Sequence, residues 1–223
     1  MERLVPKCVP ITERSSALTQ DIDKANAREV ISLLQKCDAQ IFSGWEDNEG
    51  IFSKRITTNL ECVARKAAEC VTPCADRANV ILSGCGTSGR IAFLISRGFN
   101  ELARRQNLRA CYRYICAGSD HALTRSVEPC EDDWNAGKEA LVKEADGSKK
   151  VLFIGITCGL SAPFVGSQVE YCLQHPDRFT PYLLGFNPAN QARDTPIEGT
   201  KKVLLDIARE MEGEANLGKV NFI

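Results

Sequence analysis

The sequence predicts an α/β fold in which helices cover both faces of a parallel sheet, preceded by a helical N-terminal extension over residues 1–75. Three observations carry that prediction. From residue 79 onward, short apolar runs alternate with amphipathic stretches of about ten to fifteen residues, a pattern that joins strands as parallel crossovers. The run NVILSGCGTSGRIAFLI at residues 79–95 passes from an apolar strand through glycines and hydroxyls into an amphipathic helix, and VLFIGITCGLSAPFVGSQV at residues 151–169 repeats the device. Before residue 76 the apolar residues fall at helical spacing, with one stripe at Val30, Leu34, Cys37 and Ile41 and a second at Ile56, Leu60, Val63, Ala67 and Cys70.

Taken in order, a loop at residues 42–50, rich in glycine and acids, separates the two N-terminal helices. Strands are expected at residues 80–83, 110–117, 151–156, 182–186 and 220–223, with helices at residues 89–105, 131–145, 162–174 and 196–211. The last helix has local start signals: Thr195 as N-cap, Pro196 at the first helical position and Glu198 as the acid of a capping box. Its buried stripe should be Leu204, Ile207, Ala208 and Met211. The chain ends at Ile223 inside an apolar run that reads as an unfinished strand, so the α/β domain at residues 76–223 is expected to be incomplete at its C-terminus.

Composition excludes several functions. A chain of 223 residues suits one α/β domain with extra helices, and 43% hydrophobic with 26% charged residues is ordinary for a soluble globular protein. A net charge of -1, without basic runs interleaved with aromatics, argues against nucleic acid as a partner. The eleven cysteines are odd in number and scattered through apolar segments, which fits small core residues in a reducing compartment rather than a disulfide framework. Cys70 and Cys74 lie four apart, but there is no C-x-x-C and only His121 and His175 could join them, so a zinc site is not expected. The N-terminus lacks the apolar core of a signal peptide, which points to an intracellular location. Residues 151–169 carry no charge, yet Gly155, Gly159, Pro163 and Gly166 break them into strand, turn and helix rather than a membrane span.

The chemistry sits in the loops. Gly84, Gly86 and Gly89 form G-x-G-x-x-G between a strand and a helix, the context of a dinucleotide fingerprint. That fingerprint also requires an acid at the end of the second strand to hold ribose hydroxyls, and none lies between Glu101 and Asp120. The adjacent hydroxyls of Thr87 and Ser88, beside amides left unpaired at a helix start, suit the oxygens of a phosphate monoester instead. Thr157, Gly159 and Ser161 repeat the logic in the second loop, where Ser161 is expected to cap the helix that carries Pro163. In SVEPCEDD at residues 126–133, Glu128 and Glu131 could meet a ligand at a strand end, where a carboxylate binds hydroxyls or moves a proton. His121 and His175 read as loop and surface residues.

Several motifs, in order and without gaps, carry a resemblance: VPITERSSALTQDIDKA at residues 9–25, SGCGTSGR, VEPCEDD, GLSAPFV, and GFNPANQARDTPIE at residues 185–198. On these the chain resembles the glucokinase regulatory proteins and, more distantly, the N-acetylmuramic acid 6-phosphate etherases, both built on the sugar isomerase (SIS) domain. The resemblance implies a flavodoxin-like SIS domain whose loops bind a fructose phosphate, with phosphate on Thr87 and Ser88, an acidic contact from Glu131, and a second loop of Thr157, Cys158 and Gly159 with Ser161 just beyond. It implies fructose 6-phosphate or fructose 1-phosphate as ligand, glucokinase as the inhibited partner of the full-length proteins, no cofactor, and a cytoplasmic and nuclear location; self-association is expected instead from the exposed edge of the unfinished strand at residues 220–223. The etherases use two carboxylates; one matches Glu131, whereas the other falls on Gly98, which argues for binding rather than catalysis. The asparagine of the family's N-terminal T-E-x-S-N pattern is replaced by Ser16.

Overall fold

A computed structural model describes residues 9–72, 75–127, 130–197, 203–216 and 221–222 of the chain. Helix α1 (Ala27–Ser43) starts at a reciprocal capping box, in which Asn26 accepts from the first-turn amides while Glu29 accepts from the Asn26 amide. It stops at Gly44, whose φ of 80° lies in the region that favours glycine. Helix α2 (Lys54–Val71) begins at Ser53, whose hydroxyl accepts from the Ile56 amide. Arg109 fastens its far end, donating to the Cys70 carbonyl at 2.9 Å and to the carbonyl of Ala78, where the first strand begins.

The α/β part runs β1 (Ala78–Gly84), α3 (Gly86–Arg105), β2 (Tyr112–Cys116), α4 (Trp134–Glu144), β3 (Lys150–Ile156), α5 (Pro163–Gln174), β4 (Phe179–Leu184), α6 (Leu204–Asn216) and β5 (Asn221–Phe222). All pairings are parallel and the order is β2-β1-β3-β4-β5, the flavodoxin-like arrangement. Alternation along β1 divides the core. Ile81 faces a cluster with Leu141, Phe153, Val165, Val169 and Met211, whereas Val80 and Leu82 face one with Val63, Ala92, Leu152 and Tyr182. Helix α5 is buried from Pro163 to Val169, so the uncharged run at residues 151–169 is a buried strand followed by a buried helix. Among the described residues no helix is long and apolar enough to cross a membrane.

The expected elements are present, with shifted ends (α3 begins at Gly86 rather than Gly89, α4 at Trp134 rather than Glu131, and β4 spans Phe179–Leu184 rather than residues 182–186) and four larger differences. Helix α1 buries none of its stripe: Leu34 is 50% and Ile41 46% exposed, and Phe42 continues the helix rather than opening the loop. Helix α2 buries Val63 and Cys70 but leaves Leu60 exposed. Strand β2 is shorter than expected, although the Cys111 carbonyl and Ala117 amide still bond to β1. Helix α6 begins at Leu204 rather than Pro196. Thr195, Pro196 and Ile197 are not helical, because Ile197 is an anchor of the connection, 2% exposed in the core, and Glu198 lies outside the described residues. The stripe of Leu204, Ile207, Ala208 and Met211 is buried as expected. Cys74, and the expected strand residues Val220 and Ile223, also lie outside the described residues.

Two helical glycines give opposite expectations. A Cβ on Gly137 of α4 would run into the Phe164 carbonyl oxygen and the Ser167 hydroxyl of α5, whereas a Cβ on Gly98 of α3 would meet nothing within 4 Å. Gly137→Ala should therefore destabilise the fold by about 1–3 kcal/mol through overpacking. Gly98→Ala should stabilise it by about 0.5–1 kcal/mol through helix propensity. Urea unfolding of both variants checks this, and equal midpoints would refute the close approach of α4 and α5.

Candidate functional site

Chain direction turns one way from β1 to β2 and the other way from β1 to β3, so the crevice beyond the carboxyl ends of β1 and β3 is the place where an open parallel sheet binds ligands. Their register sets Gly84 opposite Ile156, and the loops that follow start side by side. In the first loop Gly86, at φ 51°, turns the chain directly into α3. Cys85 is the N-cap and supplies no side-chain hydrogen bond, so the first-turn amides and the positive end of a 20-residue helix point out of the sheet edge. Thr87 is exposed and Ser88 half-buried at this terminus, as an anion site needs. Just beneath, the fully buried Ser83 hydroxyl has no hydrogen-bond partner among the described residues.

The second loop is tightly wound. The Thr157 carbonyl accepts from the Leu160 amide at 3.2 Å and the Thr157 hydroxyl from the Ser161 amide at 3.4 Å. Leu160 sits at φ 50° with its side chain 3% exposed, packed where a side chain on Gly185 would otherwise stand. Cys158 and Ser161 are exposed and Gly159 is half-buried. Ser161 does not cap α5: Ala162 takes the N-cap position without a side-chain bond, and Pro163 opens the helix. Because its amide is held by Thr157, Ser161 stands one residue too early to cap, and its hydroxyl stays at the surface.

The third loop brings Glu131 to the same edge. Its carbonyl accepts from the Phe164 amide in the first turn of α5 at 3.0 Å, and its side chain is exposed. Burial, reinforced by the nearby Glu131 carboxylate, pushes the Cys85 thiol up to about 12, which ties the first loop to the third and leaves Cys85 protonated and unreactive. Asp133 caps α4 through the Ala136 amide. Glu128 lies outside the described residues. His121 and His175 are exposed, the first in the turn that follows β2 and the second at the end of α5. Among the described residues no group of three or more His, Cys, Asp and Glu side chains could hold a metal ion.

A further set of residues escaped sequence reasoning. The connection after β4 reaches every part of the second loop. The Phe186 amide donates to the Cys158 carbonyl at 2.9 Å, the Asn187 amide group to the Gly159 carbonyl at 2.8 Å, and the Arg193 amide to the Leu160 carbonyl at 3.2 Å. The Arg193 guanidinium also pairs with Asp132 at 2.9 Å, next to Glu131, and reaches the Ser161 carbonyl at 3.4 Å. The same connection holds the N-terminal segment, with Gln191 accepting from the Ile11 amide and Asn187 from the Thr12 amide. The only sequence signal was the polar motif GFNPANQARD, to which spacing assigns no role.

Comparison with known proteins identifies the family. The family model described as glucokinase regulatory protein N-terminal SIS domain matches residues 62–173, from α2 to α5 and across all three loops. The chain is 39% identical to the glucokinase regulatory protein of Xenopus laevis and 42% identical to that of Homo sapiens, each over 208 residues. Those matches cover 92% of this chain and 33% of each relative, so the chain spans about a third of the regulatory proteins' length. Likeness to the N-acetylmuramic acid 6-phosphate etherase of Pseudothermotoga lettingae is lower, 27% identity over 164 residues, covering 73% of the chain and 50% of the etherase. With the flavodoxin-like strand order, the loops gathered at the β1/β3 edge and a family match across that edge, the chain belongs to the family of the glucokinase regulatory protein N-terminal SIS domain.

Proposed function

We propose that the chain binds a sugar monophosphate at the β1/β3 edge and serves a regulatory rather than a catalytic role. The observation that carries this reading is the uncapped start of α3, with the Thr87 and Ser88 hydroxyls in its first turn, set beside the Thr157 loop. The phosphate lies on the α3 amides, Thr87 and Ser88, while Thr157, Cys158, Gly159 and Ser161 close over it and Glu131 accepts from sugar hydroxyls. In this division residues 76–223 are the sugar-phosphate domain and residues 1–75 a helical extension. From the likeness to glucokinase regulatory proteins we extend to this chain fructose 6-phosphate or fructose 1-phosphate as ligand, glucokinase as partner, and the cytoplasm and nucleus as location. Exposed apolar side chains on α1 and α3, among them Ile31, Leu34, Leu94 and Leu102, support self-association as well.

The etherase reading is favoured only by the exposed Glu131 carboxylate. Gly98, where the resemblance calls for the second carboxylate, lies eleven residues along α3 from Thr87, about 16 Å at 1.5 Å per residue. This chain therefore sets no second proton-transfer group beside Glu131 from that position, and each such group typically contributes about 100- to 10,000-fold.

Calorimetry with fructose 6-phosphate tests the binding site. Ser88→Ala should lose a charge-assisted hydrogen bond worth about 1.5–3 kcal/mol, more than tenfold in affinity. Unchanged affinity in both Ser88→Ala and Thr87→Ala would remove the phosphate from the α3 terminus. An assay with N-acetylmuramic acid 6-phosphate should yield no lactate; lactate release that Glu131→Gln abolishes would establish the etherase reading instead.

A further inference from the structure

We propose that Asn187 is a positioning residue that links the N-terminal segment to the second loop, so that sugar-phosphate occupancy tightens residues 9–14 against the domain. The linkage rests on the sugar-phosphate reading above. Asn187 is 7% exposed and uses both ends of its amide: Nδ2 donates to the Gly159 carbonyl at 2.8 Å, and Oδ1 accepts from the Thr12 amide at 3.1 Å. The partners settle which end is which, since a carbonyl needs a donor and an amide N–H needs an acceptor. One rigid side chain thus spans two backbones 147 residues apart, Thr12 and Gly159 (159 - 12 = 147).

The contact is reinforced on both sides. Gln191 holds the Ile11 amide at 3.0 Å, and the Thr12 hydroxyl stands 3.5 Å from where a Cβ on Gly159 would lie. Thr12 therefore rests on the loop that the ligand is proposed to contact, with Cys158 and Leu160 held from behind by the Phe186 and Arg193 amides. A ligand that orders the second loop fixes the Gly159 carbonyl and Asn187 with it, and so favours the docked segment. Linkage then requires the converse: docking of Ile11 and Thr12 raises ligand affinity by the factor by which ligand raises docking. Ile11 to Arg14 include no buried residue, so burial of apolar surface adds little to the docking of the segment.

Amide hydrogen exchange on the whole chain, with and without saturating fructose 6-phosphate, tests this. In the parent, ligand should slow exchange at Ile11 and Thr12 about tenfold. Asn187→Asp keeps an acceptor for Thr12 but presents no donor to Gly159. It should retain protection of Thr12 without ligand, lose the further slowing with ligand, and bind about tenfold more weakly in calorimetry. Gln191→Ala should release Ile11 and weaken binding by a smaller factor, while Gln191→Glu, which keeps the acceptor, should match the parent. No binding by the parent overturns the site reading and the linkage with it. Normal binding by Asn187→Asp, with the ligand effect at Thr12 intact, overturns the linkage alone.

Discussion

Parallel pairing of β1 with β3 is the constraint on which the rest depends. It sets Gly84 opposite Ile156 and so delivers two glycine loops to one edge at the point where chain direction reverses. A slip of one residue would turn Ile81 and Phe153 out of one core face and Val80 and Leu152 out of the other, so burial on both faces specifies the register strongly. The position of the site is a consequence of core packing, and only its chemistry is left to the loops.

The residues gathered at the edge supply helix amides, hydroxyls and the Glu131 carboxylate, while the Arg193 guanidinium is already paired with Asp132 and directed to a backbone carbonyl. Arg90, in the first turns of α3, is likewise spent on the carbonyls of Ala122 and Arg125. In the proposed reading an anion here would be held chiefly by oriented dipoles, which favours a ligand with a defined shape over nonspecific polyanions. Cys85 and Cys116, both raised by burial, stay protonated and act as packing.

Much of the fold was legible because its signals are local. The strand, glycine loop and helix at residues 79–95 and 151–169 appear where periodicity puts them, and the buried stripe of α6 follows from spacing alone. The failures arise where tertiary contacts outrank local signals. Thr195, Pro196 and Glu198 make a plausible helix start, yet with Ile197 buried in the core residues 195–197 are not helical, and α6 begins at Leu204. The α1 stripe announces a helix but cannot say what covers it, and in this chain none of it is fully buried. Residues Thr87, Ser88, Thr157 and Ser161 could be named from their loops. Asn187 and Gln191 could not, since their partners lie 175 and 180 residues away.

The connection after β4 also accounts for the geometry of the second loop. Leu160 occupies the left-handed region at φ 50°, a conformation that costs of order 1–3 kcal/mol for a residue with a branched side chain. Within the loop the Leu160 and Ser161 amides bond back to Thr157. The rest of the offset comes from outside: burial of the Leu160 side chain over Gly185, the Arg193 amide on its carbonyl, and the Phe186 amide on the carbonyl of Cys158. The strained turn exists only while β4 and its following connection are in place. Its backbone is thus braced from outside at Cys158 and Leu160, and the proposed ligand would have to order only what the Asn187 side chain holds between them.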